Sequence, residues 1–423
     1  MPFRPLVLAT SVACALSAAL VCGAALAAGQ GVAVQSLAAP KESMPEATAV
    51  RLGGDSQQTR FVVDLTRKVD IATFTLADPY RVVVDLPQIV FKLPPHVGEQ
   101  GRGLIKAFRY GLIMEGGSRI VLDVSGPVRV AKAFTLAAAD GQPARLVLDL
   151  AASDRESFLH NIELQNHATP HIPAQRSASV PDNSGDPRPL IVLDPGHGGI
   201  DSGTKSYDGK VDEKDVVLAF GLELRKMLEK SGKYRVAMTR ADDTFIPLQE
   251  RVRFARLHRA SLFISIHADS VPRSEGQADG ATVYTLSEHA SDAEAAKLAE
   301  KENKSDIIAG VDLNAQPDDV ANILIDLAQR ETKTFSVQFA RTLVSDFKPV
   351  VPLHLKPVKS AGFVVLKAPD VPSVLIELGY MTTPADLRHL VSPEWRAQTA
   401  QAVAQAVDDF FDRRLVGASV GAK

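Results

Sequence analysis

The sequence predicts two architectures in series: a small all-β sandwich over residues 48–152, then an α/β domain over residues 189–415, its mixed sheet flanked by helices. Three observations carry this reading. The chain has 423 residues, 45% apolar and 23% charged, which is globular material for more than one core. Its first half is a series of short β-branched runs with no helical period between them. Its second half alternates strand-like and helix-like periods.

The first residues read as an export signal. Arg4 is the only charge before Lys41, and Leu6 to Leu26 is nearly continuous apolar or small residues. Ala25-Leu26-Ala27 then supplies a small-x-small pattern, so residues 1–28 are expected to be a signal peptide cut after Ala27 or Ala28. Left uncut, the run is long enough to span a bilayer, but its alanine-rich end fits a cleavage region better. Bulky Val21 argues against a lipid on Cys22. Cys14 and Cys22 are the two cysteines and would leave with the signal, which excludes a disulfide framework and a thiolate metal site. An exported, soluble protein with no integral membrane segment is expected. The 47 basic and 50 acidic side chains leave no cationic excess to displace counterions from a polyphosphate, which argues against nucleic acid as the main partner.

From Thr59 to Ala152 the clearest strands are Phe61–Leu65, Val82–Leu86, Ile120–Val124 and Leu146–Leu150, each with Asp before its last residue. An internal repeat relates Thr59–Pro87 to Ser118–Leu150. Val69-Asp70-Ile71 and Phe74-Thr75-Leu76 correspond to Val128-Arg129-Val130 and Phe134-Thr135-Leu136. Two copies of one β unit suggest a sandwich in which each half covers one face of the other. The recurring aspartates are expected at strand ends rather than in a site.

Residues 153–188 read as a Pro-rich linker, with Pro170, Pro173, Pro181 and Pro187 spread through it. Its His160, His167 and His171 are expected to be solvated, because a metal site needs a scaffold to fix the imidazole rings. Leu190–Asp194 is then a buried strand. Asp212–Ser231 is a helix with Val216, Phe220, Leu224 and Leu228 on one face and Gly232 as its stop. Tyr234–Met238 is a strand and Pro247–Ala260 a helix, with proline where a missing N–H costs least. Leu262–Ile266, Thr282–Tyr284, Phe363–Leu366 and Val374–Ile376 read as strands, and Trp395–Arg413 as a closing amphipathic helix.

Four residues of this second region stand at strand ends or helix starts. His197 follows the first strand in Asp194-Pro195-Gly196-His197-Gly198-Gly199, and Glu213 opens the next helix. His267 ends a strand in Ser265-Ile266-His267-Ala268-Asp269, and Glu377 ends another in Leu375-Ile376-Glu377-Leu378-Gly379. The carboxyl ends of strands in open α/β sheets form the crevice where sites are built. Two imidazoles and one carboxylate make a zinc set with a fourth position left for water, while a separate carboxylate moves protons. His197, Glu213 and His267 are the expected ligands and Glu377 the expected base.

The run Ile191 to Gly203 resembles the opening motif of the zinc-dependent N-acetylmuramoyl-L-alanine amidases. Ser265–Asp269 and Val374–Tyr380 resemble that family's second-histidine and glutamate motifs, in the same order, so the likeness covers about Leu190 to Leu415. The family pattern usually has Phe where Tyr380 stands and Ser-Asn near Thr382-Thr383, which bears on substrate contacts. The N-terminal repeat resembles the AMIN domain that precedes such catalytic domains. The resemblance implies a Zn2+ hydrolase that cuts the amide between N-acetylmuramic acid and L-alanine of the peptidoglycan stem peptide. It further implies a periplasmic enzyme of septal wall splitting and daughter-cell separation, its β domain a targeting module. Two other classes stay open: a peptidoglycan-binding protein that no longer cuts, and a zinc carboxypeptidase acting on wall peptides.

Between His267 and Phe363 lies more chain than a minimal α/β domain needs, and residues 287–331 read as a regulatory insert. Ser291–Asp306 is helical, with Ala295, Leu298 and Ala299 on one stripe that also takes Glu302. A carboxylate on an apolar face is costly unless it is paired or meets a metal. Glu302 is therefore expected to occupy the metal's open position and hold the enzyme off. The resemblance implies an activator protein that displaces this helix.

Overall fold

A computed structural model of the chain describes residues 44–94, 96–114, 116–168, 185–270, 279–310 and 323–420. The expected signal peptide lies outside the described residues.

The β region runs from β1 (Glu46–Gly54) through β2 (Gln58–Leu65), β3 (Ala72–Leu76), β4 (Arg81–Pro87), β5 (Val90–Phe91), β6 (Ile105–Met114), β7 (Gly117–Val124) and β8 (Val128–Leu136) to β9 (Ala144–Ala152). These strands form two sheets, β5-β1-β2-β9-β8 and β3-β4-β7-β6. The repeat explains the interlock. The first copy gives its leading strand to one sheet and its last two to the other, and the second copy does the reverse. Alternate residues of the four central strands meet between the sheets: Phe61, Val63 and Leu65; Val82, Val84 and Leu86; Ile120, Leu122 and Val124; Leu146, Leu148 and Leu150. Neither copy could bury this face alone.

The recurring aspartates stand toward the ends of their strands, as expected. Each pairs with an arginine: Asp64 with Arg51, Asp85 with Arg119, Asp123 with Arg109, and Asp149 with Arg60. The expected linker is corrected at its start. Asp154 caps a helix, α1 (Arg155–Ala168), by accepting the Ser157 N–H at 2.8 Å. Phe158 is buried there, edge-on to Tyr80 at 5.1 Å between ring centres, and this burial outweighs the segment's weak helical period.

The second sheet has the order β11-β10-β12-β15-β13-β14, built from β10 (Leu190–Pro195), β11 (Arg235–Met238), β12 (Leu262–His267), β13 (Ala281–Leu286), β14 (Leu353–Ala361) and β15 (Ser373–Glu377). It is mixed, since β13 runs antiparallel to β15 and the other pairs are parallel. On one face pack α2 (Glu213–Ser231), α6 (Ile323–Phe347), α7 (Pro384–Leu390) and α8 (Pro393–Val420). On the other pack α3 (Leu248–Leu257) and α4 (Ala293–Glu302). The strands are apolar on both faces because both are covered. No helix among the described residues is long and apolar enough to cross a membrane.

Two expected elements differ. Phe363–Leu366 is not a strand; Val364–Leu366 forms a single 3₁₀ turn whose Phe363, Val365 and Leu366 still enter the core. A four-residue apolar run has no decisive period, and β14 already occupies that edge of the sheet. The helix expected over Ser291–Asp306 ends at Glu302, and a second short helix, α5 (Ser305–Ile308), follows. Asn303 breaks it: its side chain donates to the Gly362 carbonyl at 3.0 Å and accepts the Val364 N–H at 2.8 Å.

Candidate metal centre

The loop after β10 is held by two buried arginines. Arg251 donates to the carbonyls of Pro195 (2.9 Å) and His197 (2.7 Å), and Arg240 to those of Pro195 (2.9 Å) and Gly196 (2.7 Å). Arg251 also pairs with Asp194 at 2.8 Å, where neither side chain is more than 2% exposed. These contacts hold His197 at φ 59°, a backbone region that costs a non-glycine residue energy and persists only when its surroundings impose it. Gly196 is required by close approach, since a Cβ there would lie 2.4 Å from the His267 ring.

Register supplies the next pair. β12 and β15 align in parallel with His267 opposite Glu377, both at the carboxyl edge. Glu213 opens α2 with its two carboxylate oxygens fixed by the N–H groups of Thr204 and Ala268, each at 2.9 Å. Glu302, the last residue of α4, is only 5% exposed and points into the same space.

Four donor atoms converge. His197 Nε2 lies 3.1 Å from Glu213 Oε1 and 3.5 Å from Glu302 Oε2. His267 Nδ1 lies 3.4 Å from that Glu213 oxygen and 3.2 Å from that Glu302 oxygen. A tetrahedral ion with bonds of about 2.0–2.1 Å sets its ligands about 3.3 Å apart, so the spacing fits zinc. Both imidazole nitrogens are buried without a hydrogen-bond partner among the described residues, as waiting ligands would be. His197, His267 and Glu302 also form a His-His-Glu cluster able to hold an ion.

The field around this point asks for positive charge. Burial opposes charging His197, yet Glu213, Asp201 and Glu302 outweigh it and hold the ring well above its ordinary value. His267 is likewise driven up to about 9, with Glu302 and Glu213 overcoming burial. Glu213 is held well below the usual carboxylate range, because the two imidazoles more than offset its burial. A divalent cation would supply the charge that protonated imidazoles supply otherwise.

Glu377 stands apart from the donor set. Its Oε2 accepts the Asp269 N–H at 2.9 Å, and its Oε1 has no hydrogen-bond partner among the described residues. Burial first, and then Glu213 and Glu302, push its carboxyl up to about 8. Such a group can both take and return a proton near neutrality.

The structure thus brings His197, Glu213, His267 and Glu302 together and sets Glu377 beside them. Of the linker histidines, His160 stands on α1, the His167 side chain is not described, and His171 lies outside the described residues. Sequence reasoning missed the supporting residues. Asp201 fixes the far nitrogen of His197 at 3.0 Å, and Lys301 of α4 pairs with buried Asp269. Arg251 was findable, since it falls on the apolar stripe of α3 with Leu248 and Ala255, where an arginine needs a buried acceptor.

The sequence pattern of the family described as N-acetylmuramoyl-L-alanine amidase matches residues 191–409, and that of the AMIN domain matches residues 49–150. N-acetylmuramoyl-L-alanine amidase AmiC of Escherichia coli O6:H1 is 34% identical over 381 residues, covering 87% of this chain and 90% of that protein. AmiC of Neisseria meningitidis serogroup B is 33% identical over 397 residues, covering 90% and 94%. AmiA of Escherichia coli K12 is 42% identical over 223 residues, covering 52% and 76%.

Proposed function

The chain belongs to the N-acetylmuramoyl-L-alanine amidases, enzymes of peptidoglycan hydrolysis, and from that premise we propose that His197, Glu213 and His267 hold its zinc, Glu377 moves the proton, and Glu302 is an inhibitory plug. The observation that carries this reading is the meeting of four donor atoms at 3.1–3.5 Å. Zinc bound there would acidify water and polarise the amide carbonyl. The remaining work falls to the chain. Asp201 orients His197 by its far nitrogen, and the Thr204 and Ala268 amides fix Glu213. Glu377 Oε1 takes the proton from the attacking water and passes it to the departing L-alanine amine, while Oε2 stays anchored on the Asp269 N–H.

Glu302 fills the corner that water needs, so the described arrangement is the closed one. α4 is latched at three further points. Its own Ala295, Leu298 and Ala299 enter the core, Lys301 pairs with Asp269, and Glu294 meets Lys359 at 2.7 Å and the Tyr380 hydroxyl at 3.2 Å. Opening such a helix calls for a binding partner, which supports an activator protein. Residues 1–28 as an export signal, the β domain over 48–152 as a wall-targeting module, and the regulatory insert over 287–331 complete a periplasmic enzyme of septal wall splitting.

The test is Glu377→Gln. Introduced into a Glu302→Ala chain, where the plug no longer masks turnover, it is expected to keep one zinc per chain by metal analysis and to release no intact stem peptide from purified sacculi. Full activity would remove Glu377 from the reaction, and release of single amino acids by the Glu302→Ala parent would mark a carboxypeptidase.

A further inference from the structure

We propose a further function for the β domain: it is an internal clamp that holds the plug shut by gripping the backbone just beyond Glu302. This inference rests on the reading of Glu302 as a plug. The sheet β3-β4-β7-β6 carries two of the four Arg–Asp pairs, Arg109–Asp123 and Arg119–Asp85. Arg81 on β4, Arg109 on β6 and Arg119 on β7 point from neighbouring strands toward one segment.

That segment is the end of α5. Arg81 donates to the Ile307 carbonyl at 2.7 Å and Arg109 to the Ile308 carbonyl at 2.5 Å. Arg119 donates to the Ala309 and Gly310 carbonyls at 3.3 and 3.0 Å. Four consecutive carbonyls are thus met by three guanidinium groups. Two of those are pre-aimed: Asp123 grips Arg109 and Asp85 grips Arg119, each through both carboxylate oxygens. Fixing the donors beforehand lowers the ordering cost of the contact.

The fit is apolar as well. Ala309 is fully buried among Leu76, Val83, Val121, Ile200 and Phe245, so the β sheet and the loop after His197 enclose it together. Gly310 adopts φ +69°, and a Cβ on it would lie 3.0 Å from Val121 and 3.1 Å from Val83. The same short segment is tied to the metal site at its start, where the Ser305 hydroxyl donates to Asp201, the residue that orients His197. Withdrawing Glu302 therefore requires either breaking the arginine contacts or bending between Asn303 and Ser305. A module read as a wall-targeting domain is placed to sense the closed state and, on engaging its own target, to loosen it.

The experiment uses the zinc-loaded full chain. Arg81→Gln, Arg109→Gln and Arg119→Gln combined are expected to raise activator-free hydrolysis of labelled sacculi about tenfold, the effect of losing charged contacts from the closed state alone. Amide hydrogen exchange over residues 303–310 should quicken while the β4 and β7 amides keep their protection. Gly310→Val presses on Val83 and Val121 and wedges the segment away with every β-domain residue unaltered, and it should do the same. In a Glu302→Ala background neither change should add more than about twofold. If Glu302→Ala is active while the arginine and Gly310 variants keep the unaltered rate and exchange, the clamp is overturned and the plug stands. If Glu302→Ala itself stays at the basal rate, the plug reading fails and the clamp falls with it.

Discussion

Replacing Arg251 by Met should destabilise the catalytic domain by about 3–5 kcal/mol, the usual cost of stranding one partner of a buried ion pair. Asp194 is fully buried, and Arg251 is its only cationic contact within 4 Å among the described residues. Only the Thr239 and Ser265 hydroxyls, at 2.6 and 2.7 Å, would remain on its oxygens. The variant also frees the carbonyls of Ile246 and His197 that Arg251 holds and leaves that of Pro195 to Arg240 alone. At about 2–4 °C per kcal/mol for a domain of this size, Tm should fall by roughly 6–20 °C. Thermal unfolding is best followed in chelator, since a ligand bound only to the folded state masks the loss. The sign with pH follows from Asp194. Burial raises its carboxyl, but Arg251 and the hydroxyls overcome that and hold it below its ordinary value, so its contribution is present above the unfolded pKa and lost as pH falls. Without Arg251 burial dominates, and the deficit should be largest at neutral pH and shrink in acid. Asp194→Asn in the same chain should recover about 1–2 kcal/mol, because it removes the stranded charge. A single variant within about 1 kcal/mol of the parent would refute this account of how the His197 loop is held.

Glu302→Ala removes the contacts to both imidazoles but leaves the Lys301 and Glu294 latches. Activator-free release of stem peptide from sacculi should therefore rise by roughly 10–100-fold, and unchanged release by folded, zinc-loaded protein would count against the plug. Asp201→Ala should weaken zinc binding about 10–100-fold in competition with a chelator, since His197 loses the bond that orients it; wild-type affinity would make that bond incidental. Leu298→Ala should loosen α4 and increase hydrolysis by the unactivated enzyme without changing zinc content, and a global drop in Tm with no such gain would show that this packing serves stability alone.

What the sequence made legible follows physical rules. β-branched runs such as Val82–Leu86 announced their strands, and His197, His267 and Glu377 stood out because each closes or follows an apolar run. Glu302 was visible because a carboxylate interrupted the stripe of Ala295, Leu298 and Ala299. Buried charge pairs were not visible: Arg251 and Asp194 are 57 residues apart, and no local period links them. The aspartates of the β region were seen, but their arginine partners lie on neighbouring strands, and the contacts of Arg109 and Arg119 with the carbonyls of Ile308 to Gly310 appear only in the folded chain. Phe363–Leu366 misled because a short apolar run fits a strand and a buried turn equally well. α1 hid in a segment read by its prolines, all of which lie beyond Ala168, where the helix ends.

X-ray absorption at the zinc edge, on the purified chain and on His197→Ala and His267→Ala variants, probes the metal directly. One zinc per chain is expected, with two nitrogen and further oxygen neighbours at about 2.0–2.1 Å, and each variant should lose one nitrogen together with most of the affinity. A chain that binds no stoichiometric zinc, or whose zinc keeps both nitrogens when either histidine is removed, would contradict the site.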